Sequence, residues 1–534
     1  MSFRSIAAVA AVAALAAPAA AGAAPSAGAN VNVDLDHELA FPQNKQNEPA
    51  ITRDPTTGVL IAGANDEITN DLCHDVTTPL TSPCPFTPGE QTSMAYRSKD
   101  GNTWTGQYLP GFDTIGRVSG GDPSLAYGPR RCANGVFSFV CGTVIYYASL
   151  ADPFPEFGGE QATVSRSYDD ALTWQNPVAA ATPDRKSSFA DHEWIAVDTS
   201  SSSPWFGRIQ LFWADYCNNC SGNGRVKLYV THSADEGRTW SPGVQISGAA
   251  FNLVQGQTET GQIAVSSDGT VEAFWIAHAD SKGKYPSTQV VAVSKDGGVT
   301  FSQPIAVAGV SDYPLTGTPF DAVDLFNRVP GMSARVDCYP HPASDPTSTK
   351  VYVVWCDFTN GVGTVRGAVS SDGINWTSLG TIASVFSRNA FFPAVSVAAD
   401  GTVAVAFDAL TAPPAGDLWS TGVQVYDNYY VESTNGGASF SAPLRVSTAS
   451  SNPDASSYNN LMEQFIGDYI GIVAGPTQAY LVWTDARDAS RCQAVDDYRN
   501  AIYTGVKRPV APNPDKVCTL NFGNTDTEFA PVAY

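Results

Sequence analysis

Charge is what this chain has least of. Only 15% of its 534 residues are Asp, Glu, Lys or Arg. The shortage falls on the basic side: 30 Lys and Arg stand against 52 Asp and Glu, a formal net charge of −22. Gripping a phosphate backbone or an anionic membrane relies on Lys and Arg, so neither nucleic acid nor a membrane surface is expected as a partner. After residue 24 no stretch is long and apolar enough to anchor the chain in a bilayer. A zinc motif is missing too, because Cys217-Asn218-Asn219-Cys220 has no second pair of soft ligands at suitable spacing.

What is present describes a secreted β-rich protein. Met1–Ala24 has the parts of a signal peptide. These are Arg4, the short apolar run Ile6–Leu15, and small-residue cleavage sites at Ala19-Ala20-Ala21 and Ala21-Gly22-Ala23. The mature protein is therefore expected to be soluble and extracellular. Its ten cysteines fall into neighbouring pairs, which predicts five local disulfides: Cys73/Cys84, Cys132/Cys141, Cys217/Cys220, Cys338/Cys356 and Cys492/Cys518.

One short unit recurs. Ser233–Trp240 reads SADEGRTW, that is Ser-x-Asp-x-Gly-x-Thr-Trp. Looser copies stand at Ser98–Trp104, Ser167–Trp174, Ser294–Phe301, Ser370–Trp376 and Ser433–Phe440, with Ala171 in a Gly place and Asn435 in an Asp place. Successive copies of the Asp position lie between 61 and 76 residues apart, the period of a ringed or stacked supersecondary unit. A β-branched, apolar strand precedes each copy and a polar strand follows, so the unit is a hairpin turn. Its Asp can accept hydrogen bonds from the turn's own N–H groups, and its closing aromatic suits packing between sheets. These features resemble the Asp-box (BNR) repeat of the sialidase superfamily of β-propellers. In that family the box is structural and faces away from the active site.

A second repeat runs out of phase with the boxes and has seven members, each an inner strand, a turn and a more apolar strand. The expected fold is all-β: one seven-bladed propeller of four-stranded blades over residues 25–534. The N-terminal strand Ala29–Leu35 would close the last blade, and Ala501–Val506 would be that blade's third strand, ahead of a loop-like tail. Closure leaves no open edge and favours a monomer. The six-bladed ring of well-known sialidases is the alternative.

Topology then predicts which residues meet. Inner strands begin at one face, and the links from second to third strands return to it, opposite the boxes. The starts of the inner strands bring Glu48, Asp122, His192, Glu193, Glu259, Arg335, Arg388, Gln464, Asp468 and Tyr469 to the channel mouth. The ends of the second strands add Asp66, Asp215, His278, Asp280, Asp357, Asp408, Asp485 and Arg487. Several have a plainer reading: Asp after a strand forms turns, Asp468 can cap the turn at Gly467, and Arg487 can pair with Asp485. His192 titrates near neutrality, so it can act as a base or orient a carboxylate.

The resemblance implies more. Sialidases bind the substrate carboxylate with three arginines and use a Tyr nucleophile, a Glu that activates it and an Asp acid/base. Arg335, Arg388, Tyr469, Glu259 and Asp122 would fill such roles here. The first inner strand departs from the family, with Asn47-Glu48-Pro49-Ala50-Ile51 where sialidases carry Phe/Tyr-Arg-Ile-Pro. Glu48 would repel a sialic acid carboxylate. The leading expectation is a glycoside hydrolase acting on an extracellular glycan. It would use two carboxylates among Glu48, Asp122, Glu193 and Glu259, with Trp194, Phe391, Phe392 and Tyr469 stacking on sugar rings. One alternative is a uronate-directed polysaccharide lyase, with His192 or Tyr469 as base and Arg335 or Arg388 on the uronate. The other is a non-catalytic propeller that binds glycan or protein. No cofactor is expected. Asp66-Glu67 and Asp485 with Asp488 have donor chemistry for Ca²⁺, but no spacing of motif quality.

Overall fold

The computed structural model describes residues 24–34, 45–66, 93–153, 159–183, 188–217, 226–247, 261–279, 286–314, 327–332, 334–386, 388–412, 424–457, 461–506 and 509–534. The expected signal peptide lies almost entirely outside them.

Seven antiparallel sheets form the ring. The innermost strands are Gln46–Arg53, Arg117–Arg131, Ser188–Val197, Ile263–Val265, His341–Ser344, Ala390–Val397 and Gly471–Ala474. Each pairs with the strand that follows it in sequence, and the first six sheets continue outward in simple order to a fourth strand. The second strands read as unbroken apolar runs because they are covered on both faces by neighbouring blades. Every residue of Val271–Ala277, Val351–Asp357 and Val403–Leu410 is buried. Trp275, Trp355 and Trp483 are the largest of these plugs.

The seventh blade closes the ring through the N-terminus, as the sequence predicts, but from other parts. Its third strand is Asp526–Ala533, which pairs with Gln478–Asp485 on one side and with Ser26–Ala27 and Val31–Asn32 on the other. Ala501–Val506, expected to supply that strand, is instead the end of a helix, Gln493–Tyr503, and the turn after it. Val495, Arg499 and Ile502 share its buried face. The Arg499 guanidinium donates to the carbonyls of Leu461, Asp454, Ser456 and Glu463, which fastens the preceding loop beneath the helix. The apparently loop-like tail is a buried strand because Phe529 alternates into the core and meets Trp104 of the first blade at 5.2 Å.

The repeated turns lie at the opposite end of the blades from the inner-strand starts. In each, the Ser hydroxyl and the Asp carboxylate, or the Asn435 amide oxygen in the last copy, hold the turn's amides. Ser233 Oγ accepts from Gly237 N at 2.9 Å. Asp235 Oδ1 accepts from Arg238 N and Thr239 N at 3.1 and 2.9 Å. In the fourth copy slight burial works to raise the Asp296 pKa, but the corresponding bonds from Thr300, Ser294 and Val299 pull it down to about 2. All these lone pairs are committed to the turn. Asp235→Ala is therefore expected to cost about 1–2 kcal/mol of stability and to leave catalysis untouched, to be checked by chemical denaturation beside an activity assay.

Three predicted disulfides are present: Cys132–Cys141, Cys338–Cys356 and Cys492–Cys518. Cys217 is also disulfide-bonded, whereas Cys73, Cys84 and Cys220 lie outside the described residues. Cys338–Cys356 ties the approach to the fifth inner strand onto the second strand, with both residues buried. It closes a span of 18 residues. Replacing both by Ser is expected to remove about 3 kcal/mol, read as a lower denaturation midpoint.

Candidate functional site

Four inner strands carry the same irregularity near their starts. Pairing to the second strand skips two residues between Asn47 and Ala50, Gly121 and Ser124, Asp191 and Trp194, and Phe391 and Ala394. The first skipped residue is a non-glycine at positive φ each time: Glu48 at 53°, Asp122 at 54°, His192 at 53° and Phe392 at 47°. Each such conformation costs of order 1–3 kcal/mol. Bulges of this kind re-aim side chains. Here they set one acid, one acid and one imidazole from the first three blades at the same level of the channel.

Asn65, at the end of the first blade's second strand, links two of them. Its Nδ2 donates to Glu48 Oε2 at 2.9 Å, and its Oδ1 accepts from the Asp122 backbone N–H at 2.7 Å. Glu48 also packs on Gly467, where a Cβ would stand 2.7 Å from Glu48 Cγ and φ is +83°. Glu48 is therefore enclosed, while Asp122 is half-buried.

The seventh and fifth blades supply the other side. Arg335 Nε and one terminal nitrogen donate to the two oxygens of Asp468 at 2.8 and 2.6 Å. The same guanidinium lies 3.9 Å from Glu48 Oε1 and 4.7 Å over the Phe465 ring. His192 Nε2 is 3.7 Å from Asp468 Oδ2. Burial alone would lower the His192 pKa, but the bond to Asp468 and the charges of Asp191 and Asp122 outweigh it and leave it raised. Burial pushes Asp468 the other way, yet the Arg335 charge and the His192 bond hold its carboxyl below the usual range.

Tyr469 completes the group. Its hydroxyl donates to the Pro123 carbonyl at 3.3 Å, and its ring lies 5.9 Å from His192 and 5.4 Å from Trp194. Burial first, and the charges of Glu48, Asp122 and Glu193 next, raise its pKa well above the usual value, so it stands as a phenol. A water-sized cavity of about 20 Å³ lies beside Asp468, Tyr469, Tyr339 and Phe392.

The remaining expected residues are placed elsewhere. Glu193 is 1% exposed and, among the described residues, no other residue donates a hydrogen bond to either carboxyl oxygen. Burial, then the charge of Asp122, raises its pKa well above the usual value, which makes it a sealed neutral acid rather than a group facing substrate. Trp194 faces the opposite end of the channel. Arg388 lies beside Tyr429 on the sixth blade's third strand, outside this cluster. Glu259 and Asp280 fall outside the described residues. Asp66, Asp357, Asp408 and Asp485 are bonded within or beside their own blades, to Tyr96, Thr359, Asn428 and Arg487 respectively. Among the described residues, no group of three or more His, Cys, Asp or Glu could hold a metal ion.

Two members of the site went unread in the sequence. Asn65 sits next to Asp66, which drew the attention as the ionisable neighbour. Tyr339, whose ring contacts His192 at 4.9 Å, lies just ahead of the fifth inner strand, His341–Ser344. Pro340, which has no amide donor, was the available signal that the strand starts after it.

No protein-family model and no curated protein matches the chain. Solved structures similar to it include a Hadza microbial sialidase, at 15% identity over 70% of this chain with a TM-score of 0.40; the match spans 64% of that protein's length. A Penicillium chrysogenum α-L-arabinanase complexed with arabinobiose matches at 10% identity over 94% of this chain and 98% of its own, with a TM-score of 0.43. A polysaccharide lyase, an ulvan lyase, matches at 10% identity over 75% of this chain and 81% of its own, with a TM-score of 0.41.

Proposed function

We propose that the protein is a secreted glycoside hydrolase acting on an extracellular glycan at the inner-strand starts. The observation that carries this reading is the Asn65 bridge, which holds the carboxyl-bearing Glu48 and Asp122 as immediate neighbours in two adjacent blades. Glycoside hydrolysis asks for two carboxyl groups flanking one bond. Asp122, half-buried, is the one that meets the sugar. Glu48 is the more enclosed of the two. His192, with its pKa raised and its ring oriented by Asp468, is the adjoining proton store. The disulfides support an oxidising, extracellular setting.

A lyase reading has its own observation, the His192–Tyr469 ring pair at 5.9 Å with Arg335 nearby. It is the weaker one, since Arg335 already gives its Nε and one terminal nitrogen to Asp468, whose charge offsets the one a uronate would meet. Neutral, uronate-bearing and sialylated glycans incubated with the purified protein separate the readings. New reducing ends without the absorbance of an unsaturated uronate are expected. Unsaturated products would establish the lyase, and folded protein that releases nothing would leave a binding propeller.

A further inference from the structure

The far end of the channel is not a continuation of this site. Trp194 and His341, 5.7 Å apart edge to face, form a floor with Tyr469 above. His341 is neutral, because burial lowers its pKa to about 3, and its Nδ1 accepts from the Val395 amide. Below that floor lies a second cavity of about 720 Å³, inside the range of roughly 300–1,000 Å³ usual for small-molecule sites. All seven blades contribute to its wall, so it lies on the ring axis and opens at the face of the repeated turns.

We propose that this cavity is a second, non-catalytic binding site for the end of a short neutral oligosaccharide. Three features point to that chemistry. Trp194, Tyr127 and Phe139 give flat apolar surfaces along one side of the wall. Phe139 is brought there by the long hairpin of Arg117–Arg131 and Phe137–Pro153, stapled near its tip by Cys132–Cys141, and is fixed between Tyr127 and Phe206 at 6.2 and 5.9 Å. Elsewhere the wall carries hydroxyl-bearing residues, among them Ser267 and Ser344, and the guanidinium-bearing Arg53. The charges balance: Arg53 is the one Lys or Arg in the wall, and the carboxylate of Asp345 is already occupied by Thr347 and Ser348. Aromatic faces together with hydroxyl and guanidinium side chains in one wall, without net charge, match the two-sided surface of an uncharged sugar ring. The inference stands independently of the catalytic reading at the other end.

The test is titration of the purified protein with cellotriose, mannotriose and arabinotriose, followed by calorimetry and tryptophan fluorescence, in wild type and in Asp122→Asn. At least one trisaccharide is expected to bind with a Kd of about 1 mM or tighter, equally in both. Phe139→Ala and Ser267→Trp, each checked for an unchanged melting temperature, are expected to weaken it at least about tenfold. Failure of all three sugars to bind would overturn the proposal. So would binding that survives both wall variants and disappears in Asp122→Asn, which would place the sugar at the polar cluster instead.

Discussion

Asp122→Asn is expected to lower kcat on the glycan that is cleaved by about 10²–10⁴, the contribution typical of one acid–base group, with KM nearly unchanged. The side chain keeps its shape but loses the charge that would take up a proton or attack the sugar. Its backbone N–H still donates to Asn65, so the bulge that presents it is retained. Glu48→Gln is expected to fall in the same range, since its carboxamide oxygen can still accept from Asn65 Nδ2 while its proton chemistry is gone. Asn65→Ala should reproduce part of both losses by releasing two groups at once. The assay is steady-state release of reducing ends. A retained kcat in Asp122→Asn would remove this residue from the chemistry.

The second large effect falls on stability. Asp468→Asn is expected to cost about 3–5 kcal/mol, because it leaves the Arg335 guanidinium and the His192 ring beside a neutral partner in a buried site. It should also change how stability depends on pH. His192 has a raised folded pKa, so its contribution is complete below the unfolded value of 6.5 and is lost as pH rises through the folded one. Asp468 has a depressed folded pKa, so its contribution is complete above 3.8 and is lost as pH falls through the folded one. The wild type should therefore hold this stabilisation between those limits, and Asp468→Asn should show a flatter profile across neutral pH. Denaturant unfolding at a series of pH values reads both effects. A variant with wild-type stability and an unchanged profile would show that the pair is not the fastening described.

The ring was legible because its signals are repeated. Six copies of Ser-x-Asp-x-Gly-x-Thr-Trp and seven apolar second strands leave few other architectures, and a misread element in one blade does not disturb the rest. That is what happened in the last blade. The segment at 493–503 has helical spacing of Val495, Arg499 and Ile502, but a buried arginine does not look like a core residue in sequence. Arg499 is buried because four carbonyls need its donors.

The site was legible as a set of positions and not as an arrangement. Strand order alone brings Glu48, Asp122, His192 and Tyr469 to one end. It does not reveal that four of the inner strands skip two residues there, although Glu48-Pro49, Asp122-Pro123 and Phe392-Pro393 repeat one dipeptide pattern at the bulge. A bulge reverses which neighbours face the channel. That is why Glu193, adjacent to His192, is sealed between blades, and why Trp194 looks toward the other mouth. Arg388 illustrates a different limit: sequence places it before an inner strand, but not how far from the axis the connecting segment runs.

The most direct measurement is a crystal structure of Asp122→Asn soaked with an oligosaccharide that the wild type cleaves. The account predicts a sugar at the inner-strand starts, with its scissile oxygen or anomeric carbon within hydrogen-bonding reach of the residue-122 carboxamide and its ring near Tyr469. Sugar found only below the Trp194–His341 floor, in a variant whose activity is undiminished, would contradict it.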